Sequence, residues 1–339
     1  MKKIFIIGNT VAAAKSAEWI RQNDQDSNIT LISTDGHYPY EADRLSDFLS
    51  GDISQKDLLI KSKDYYGKNN ITVLLDKKIS KINLKRLRIF TEAKDQLEFD
   101  TLILADLPDK KFPDLKGANK EGIFYFRSFP QVDSMLKKLL VTETIAVQSD
   151  TFEGLKVACA IAKKGKEVIL FTSNNSFIFK TLAEKDRRHL MDYLSANGLH
   201  IILDNEIVEI LGDSDVKAVR SKSGKVLAAQ MVVFENVRED WRIFSENELQ
   251  VTDCFEVNES FETSIKDVYA LSTLAKQHKT DLYSPQVVPA YVQYQEARAV
   301  VSKIVGKEIA AEMPDPVQLL VFKDITITSL GLLQESVSV

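Results

Sequence analysis

One supersecondary unit occurs twice in this chain, and that repetition constrains its fold more than anything else. At the N-terminus a β-branched apolar run, Lys3 to Ile7, ends at Gly8. An alanine-rich stretch with helical spacing follows, "AAAKSAEWIRQND", and then a second apolar run, "NITLIS". Strand, glycine turn, helix and strand in this order make a βαβ unit. Its crossover joins parallel strands and lays a helix on the sheet, so a chain of such units forms a sheet covered on both faces. The order returns at "TIAVQSDTFEGLKVACAIAKKGKEVILF", Thr144 to Phe171. The expected fold is therefore α/β, an internal duplication giving two Rossmann-like βαβ domains. A chain of 339 residues has the length to bury a core in each.

The second turn carries a puzzle. Where a dinucleotide-binding turn wants glycine, this one holds Ser149, Asp150 and Thr151.

Several function classes fall away on composition. The net charge is −5, with no basic stripe, which argues against a nucleic-acid partner. No apolar run approaches the ~18 residues of a membrane span. The opening "MKKIFIIGNT" imitates the start of a signal peptide, but its apolar run is short and ends in a Gly-Asn turn, so a cytoplasmic protein is expected. Cys159 and Cys254 are the only cysteines and form no CxxC pair, which removes a local dithiol centre and a zinc site. His37, His189, His200 and His278 lie at no metal-ligand spacing, and no metal ligand is assigned.

Further motifs follow in a fixed order: "IIGNTVAA", "YPYEADRLSDFLSGDISQKDLLI", "DYYGKNNITVLL", "FDTLILA", "GIFYFRS", "EGLKVACAIAKKGKEVILF", "VVFENV" and "TSIKDVYALSTLAK". In order and spacing they resemble the pyridine nucleotide-disulfide oxidoreductases, two-Rossmann-domain flavoproteins. The branch they look most like is NADH:rubredoxin reductase and the N-terminal part of nitrite reductase. The resemblance implies an FAD-binding domain at 1–109 and 240–306, an NAD(P)H-binding domain at 110–239, and a shortened C-terminal interface segment at 307–339.

Many positions that carry the family's chemistry are altered. A dinucleotide turn uses its first glycine for the tight turn, the second for approach of the pyrophosphate and the third for close helix–strand packing. In Gly8-Asn9-Thr10-Val11-Ala12-Ala13 the first glycine stays and Ala13 is a small stand-in. Thr10 puts a branched side chain where the phosphate comes close, though its hydroxyl is a donor. Asp35 is the one carboxylate near the ribose position, and its Asp-Gly pair reads first as a turn former. Where the family has an Arg-Pro pair, Ala42 and Asp43 stand here, with Arg44 one step later.

The small-residue "ATG" has become Ala105-Asp106-Leu107, and "AIGxRPN" has become "FENVRED". The family's flavin-holding "GD" has become Ser272-Thr273, and Thr273 offers a neutral hydrogen bond roughly half as strong as a charge-assisted one. Gln295 is the counterpart of a glutamine near the flavin, with Glu296 in place of the adjoining glycine. The residual FAD contacts implied are Gly8, Thr10, Ala13, Asp35, Arg44, Thr273 and Gln295. No catalytic residue is assigned, and FAD binding is expected to be impaired but left open.

In the second turn the three glycine positions hold Ser149, Thr151 and Gly154, flanked by Asp150 and Glu153 in capping-box spacing. Unit charges ~4 Å apart repel by about 1 to 4 kcal/mol at surface-like dielectrics, so carboxylates here oppose a pyrophosphate. The next strand ends "FTSNN", with neither an acid for a ribose hydroxyl nor an arginine for a 2′-phosphate. NAD(P)H is not expected to bind. The expectation is a degenerate family member, a structural, regulatory or electron-relay subunit of a redox assembly with a protein partner. Two alternatives stay open: an active FAD-dependent NAD(P)H:acceptor oxidoreductase serving a small redox protein, and a binding module that reuses the FAD cleft.

Overall fold

A computed structural model describes residues 1–75, 77–107, 110–111, 114–173, 184–235, 238–244, 254–276, 288–310, 313–314, 317–323, 325–330 and 334–338. The chain forms two compact units, Met1–Asp43 with Gln55–Lys111 and Arg238–Pro316, and Arg44–Ser54 with Phe112–Val237 and Val317–Val339.

The first unit is built on a five-stranded sheet in the order Val268–Ala270, Thr101–Leu104, Lys3–Ile7, Asn28–Ile32, Ile71–Leu74. Every neighbouring pair is parallel. The central strand reads KIFII, and Ile4, Ile6 and Ile7 are completely buried. A strand that hides both faces needs an uninterrupted apolar run, which is why no polar residue alternates here. Ile4 and Ile6 face one cluster, containing Ala13, Ala17 and Ile20 of the helix Val11–Asn23; Phe5 and Ile7 face another, with Ile82, Ile89 and Phe244. A three-stranded antiparallel excursion, Ile79–Asn83, Arg88–Thr91 and Gln96–Glu98, precedes the buried strand Thr101–Leu104.

The second unit repeats the plan. Its parallel sheet runs Leu199–Leu203, Glu167–Thr172, Thr144–Gln148, Met231–Phe234, Ile123–Tyr125. An antiparallel excursion, Ile207–Leu211 with Ala218–Ser221 and Val226–Ala228, again precedes the buried strand Met231–Phe234. The chain also contains an antiparallel group Val317–Phe322, Ile325–Leu330 and Gln334–Ser338.

Two details differ from the division expected along the sequence. Arg44–Ser54, placed by sequence in the first domain, groups with the second unit. The Phe48 ring packs on Phe129 with centroids 5.3 Å apart, and Asp52 pairs with Lys163 at 2.9 Å. The tail expected as one segment at 307–339 divides at Val317 between the units. No described helix is long and apolar enough to cross a membrane.

Candidate functional site

In open α/β sheets, ligands bind outside the carboxyl ends of the strands, beside the N-terminus of the crossover helix. Each unit has such a turn.

In the first unit Gly8 has φ +127°, a backbone conformation that side chains disfavour. A Cβ there would also lie 3.0 Å from the backbone nitrogen of Asp106. Close approach of two strand ends thus fixes the glycine. Thr10 is the N-cap of the helix Val11–Asn23, and its Oγ1 accepts from the backbone nitrogen of Ala13 at 3.3 Å. The neighbouring backbone nitrogen, that of Ala12, donates to Oε1 of Gln293 at 3.1 Å. Gln293 is buried on the helix Ala290–Val305, and its Nε2 donates to the Val288 carbonyl at 2.6 Å. Thr10, Ala13 and Gly8 are therefore brought together, with the N–H groups of Ala12 and Ala13 turned to partners of the protein itself.

Asp35 is more than a turn former. Its Oδ1 accepts from Asn9 Nδ2 at 2.7 Å and from the His37 backbone at 3.0 Å, and its Oδ2 from the Tyr40 hydroxyl at 2.7 Å. The hydroxyl of Thr34 lies 2.8 Å from Asn9 Oδ1 and 3.0 Å from Asp106 Oδ2. Asn9, Thr34, Asp35 and Asp106 thus form one polar chain across the strand ends. The hydrogen bond to Asp35 holds the His37 imidazole above its ordinary pKa, against the effect of burial.

Thr273 lies in the short turn Ser272–Leu274, where Ser272 has φ +54°. This turn is closed by Glu296, fully buried, whose carboxylate accepts from the Ser272 backbone at 3.0 and 3.1 Å and from its hydroxyl at 3.1 Å. Gln295 donates to the Tyr291 hydroxyl at 2.7 Å along its own helix. Arg44 belongs to the second unit, preceding the helix Leu45–Ser50, and its Nε lies 3.7 Å from Asp47.

The second turn overturns one local expectation. The N-cap of the helix Phe152–Lys163 is Thr151, not Asp150: Thr151 Oγ1 accepts from the Gly154 backbone at 3.0 Å. Asp150 instead accepts from the Thr172 hydroxyl at 3.1 Å and the Ser173 backbone at 2.6 Å. Glu153 pairs with Lys156 at 3.0 Å, both buried. The capping register slips by one residue because the strand Glu167–Thr172 takes Asp150 away. Gly154 has a steric reason to remain, since a Cβ on it would overlap the Ser149 side chain. Behind the turn stands Glu235, whose Oε2 accepts the hydroxyls of Ser149 and Thr151, each at 2.8 Å. Burial pushes its carboxyl up to about 7; the two hydroxyls and Arg127 oppose the rise and Glu153 adds to it.

Asn9, Gln293 and Glu235 were not singled out by sequence. Glu235 had a signal, as a carboxylate ending the apolar run "VVFE"; Gln293 had none, because nothing local tells which turn of the chain its amide meets. The ribose end of the second unit ("FTSNN") continues at 174 outside the described residues, as do positions 236 and 237 of "FENVRED" and His278. Among the described residues no group of three or more His, Cys, Asp or Glu could hold a metal ion.

Two parallel Rossmann-like sheets in tandem, each with a crossover-helix turn at its strand ends, match a known family. The family described as pyridine nucleotide-disulphide oxidoreductase aligns with residues 2–294. This chain belongs to it. Among family relatives, the nitrite reductase [NAD(P)H] of Bacillus subtilis (strain 168) is 27% identical over 294 residues, 86% of this chain and 36% of that protein. The assimilatory nitrate reductase electron transfer subunit of the same organism is 25% identical, over 90% of this chain and 39% of its own length. The rubredoxin-NAD(+) reductase of Ectopseudomonas oleovorans is 24% identical over 80% and 71% respectively. The chain thus spans less than two-fifths of the length of the two Bacillus proteins. A crystal structure of a covalent putidaredoxin reductase–putidaredoxin complex shares the fold, with TM-score 0.82 and 20% identity over 96% of this chain and 80% of that one. A ferredoxin reductase from Rhodopseudomonas palustris does so with TM-score 0.81 and 18% identity, over 97% and 82%.

Proposed function

We propose that this protein is a family member that has given up NAD(P)H binding, keeps an impaired FAD site, and works as a structural, regulatory or electron-relay subunit with a protein partner in a redox assembly. The FAD-type domain would be 1–109 with 240–306, and the former nucleotide domain 110–239. The observation that carries this reading is Glu235, a buried carboxylate held against the second turn by Ser149 and Thr151. A pyrophosphate there would face a buried acid that is negatively charged above its raised titration point, about 7, and the hydroxyls of Ser149 and Thr151 already donate to that acid.

The first turn fits FAD poorly as it stands. Gly8 keeps the close backbone crossing that a dinucleotide needs, but Gln293 and Thr10 use the N–H groups of Ala12 and Ala13. Thr273 and Gln295 would give neutral contacts only, and Arg44 groups with the second unit. Two names support the partner: one relative is an electron transfer subunit, and one protein of the same fold was captured with putidaredoxin. The second reading, an active FAD-dependent reductase for a small redox protein, is favoured by the retained Gly8.

The deciding experiment is the visible absorbance spectrum of the purified protein before and after adding FAD, with an NADH oxidation assay alongside. The proposal expects at most a weak, titratable flavin band and no NADH oxidation. A stoichiometric flavin band together with NADH turnover would replace it by the second reading.

A further inference from the structure

Glu235 follows the strand Met231–Phe234 and is 1% exposed. Its Oε2 is committed to Ser149 and Thr151, while its Oε1 finds no hydrogen-bond partner among the described residues. A buried carboxylate oxygen without a donor is rare, because the lost hydration is not repaid. It sits at the N-terminal end of the twelve-residue helix Phe152–Lys163, the end that attracts anions. A chain of hydrogen bonds runs from the Gly154 backbone to Thr151 Oγ1 and from that hydroxyl to Glu235. Each donor in it is committed to an acceptor of the protein itself.

The surrounding charges do not cancel this. Glu153 approaches from the helix and is paired with Lys156; Arg127 approaches from the segment after Ile123–Tyr125; Asp150 in the turn is held by Thr172 and Ser173. Three carboxylates therefore stand against two cations before a dinucleotide brings its own two negative charges.

We infer that Glu235 is the specificity-determining residue that closes the second turn to the pyrophosphate of a nicotinamide dinucleotide. The inference rests on the reading that NAD(P)H binding has been given up, and it names the group responsible. Charge is the lever, so exclusion weakens where the acid is neutral. With its carboxyl near 7, affinity for NADH rises about tenfold between pH 8 and pH 6, as the neutral fraction does.

The test is calorimetric titration of the full chain with NADH at both pH values, using wild type, Glu235→Gln and Glu235→Ala, with melting temperatures recorded. The expected result is weak wild-type binding at pH 8 that strengthens at pH 6. Glu235→Gln should bind at least tenfold more tightly than wild type at pH 8 and lose the pH dependence. A folded Glu235→Gln that binds as weakly as wild type at pH 8 overturns the role of Glu235 but leaves the loss of NAD(P)H binding intact. Tight wild-type binding at pH 8 overturns that loss itself. If both variants fail to fold, the wild-type pH profile decides: a flat profile overturns the inference.

Discussion

Gln293 Oε1 lies 3.1 Å from the backbone nitrogen of Ala12, so the helix Ala290–Val305 caps the very helix end where the family would seat a phosphate. The amide does from inside what a ligand oxygen would do from outside. Gln293→Ala removes this cap and leaves the Val288 carbonyl without its donor. A cost of about 1–2 kcal/mol in unfolding free energy is expected, measured by denaturant titration. The same variant frees the Ala12 N–H group, and FAD titration should show tighter binding than in wild type. Unchanged FAD affinity would mean that the cap does not restrict this turn.

Glu296 holds the left-handed Ser272 in place through its backbone N–H and hydroxyl. Truncation to Ala strands two buried donors and should destabilise the protein by about 2–4 kcal/mol. Glu296→Gln keeps an acceptor and should cost roughly half as much. Equal losses for the two variants would show that the charge, rather than hydrogen-bond acceptance, matters.

Gly8→Ala places a Cβ against the Asp106 backbone in a conformation that alanine avoids, and should cost about 1–3 kcal/mol or more. The added Cβ would meet the Asp106 Cβ at 3.1 Å as well as backbone atoms at 3.0 and 3.2 Å, so adding Asp106→Gly should restore only part of the lost stability. Full recovery in that double variant would place all of the strain in the Asp106 side chain.

Glu18 and Glu235 titrate with opposite consequences. Burial alone would raise the Glu18 carboxyl, but hydrogen bonds from Lys61 at 2.7 Å and Lys15 at 2.9 Å outweigh it and hold the group low. A depressed acid contributes stability above its unfolded value, about 4.3, and that stability is lost as pH falls through the lower folded value. Glu18→Gln should therefore flatten the acid limb of melting temperature against pH.

For Glu235 the folded value, about 7, is raised, so the native state holds the extra proton between about 4.3 and 7. Stability then falls as pH rises through that window and levels off above it, by an amount on the order of 4 kcal/mol. Glu235→Gln should abolish this fall. A wild-type curve flat from pH 4.5 to 7 would contradict a buried, raised carboxyl.

How legible the molecule was depended on whether a feature is local. The apolar stretches within Lys3–Ile7 and Thr144–Gln148 announce buried parallel strands, because a strand covered on both faces is apolar through its middle. Gly8 announces its turn in the same way. The N-cap of the second helix was misplaced by one residue, since Asp150 and Thr151 are both good caps and only the nearby strand end chooses between them.

The sequence by itself determined the pair of Rossmann-like units, because hydrophobic period and turn residues act over a few positions at a time. Tertiary structure alone decided what occupies the two turns. Gln293 meets Ala12, Glu296 meets Ser272, and Glu235 meets Ser149 and Thr151 only once distant segments are brought together. A polar side chain becomes a cap, a clasp or a plug according to its buried neighbours, because burial removes the water that would otherwise satisfy it.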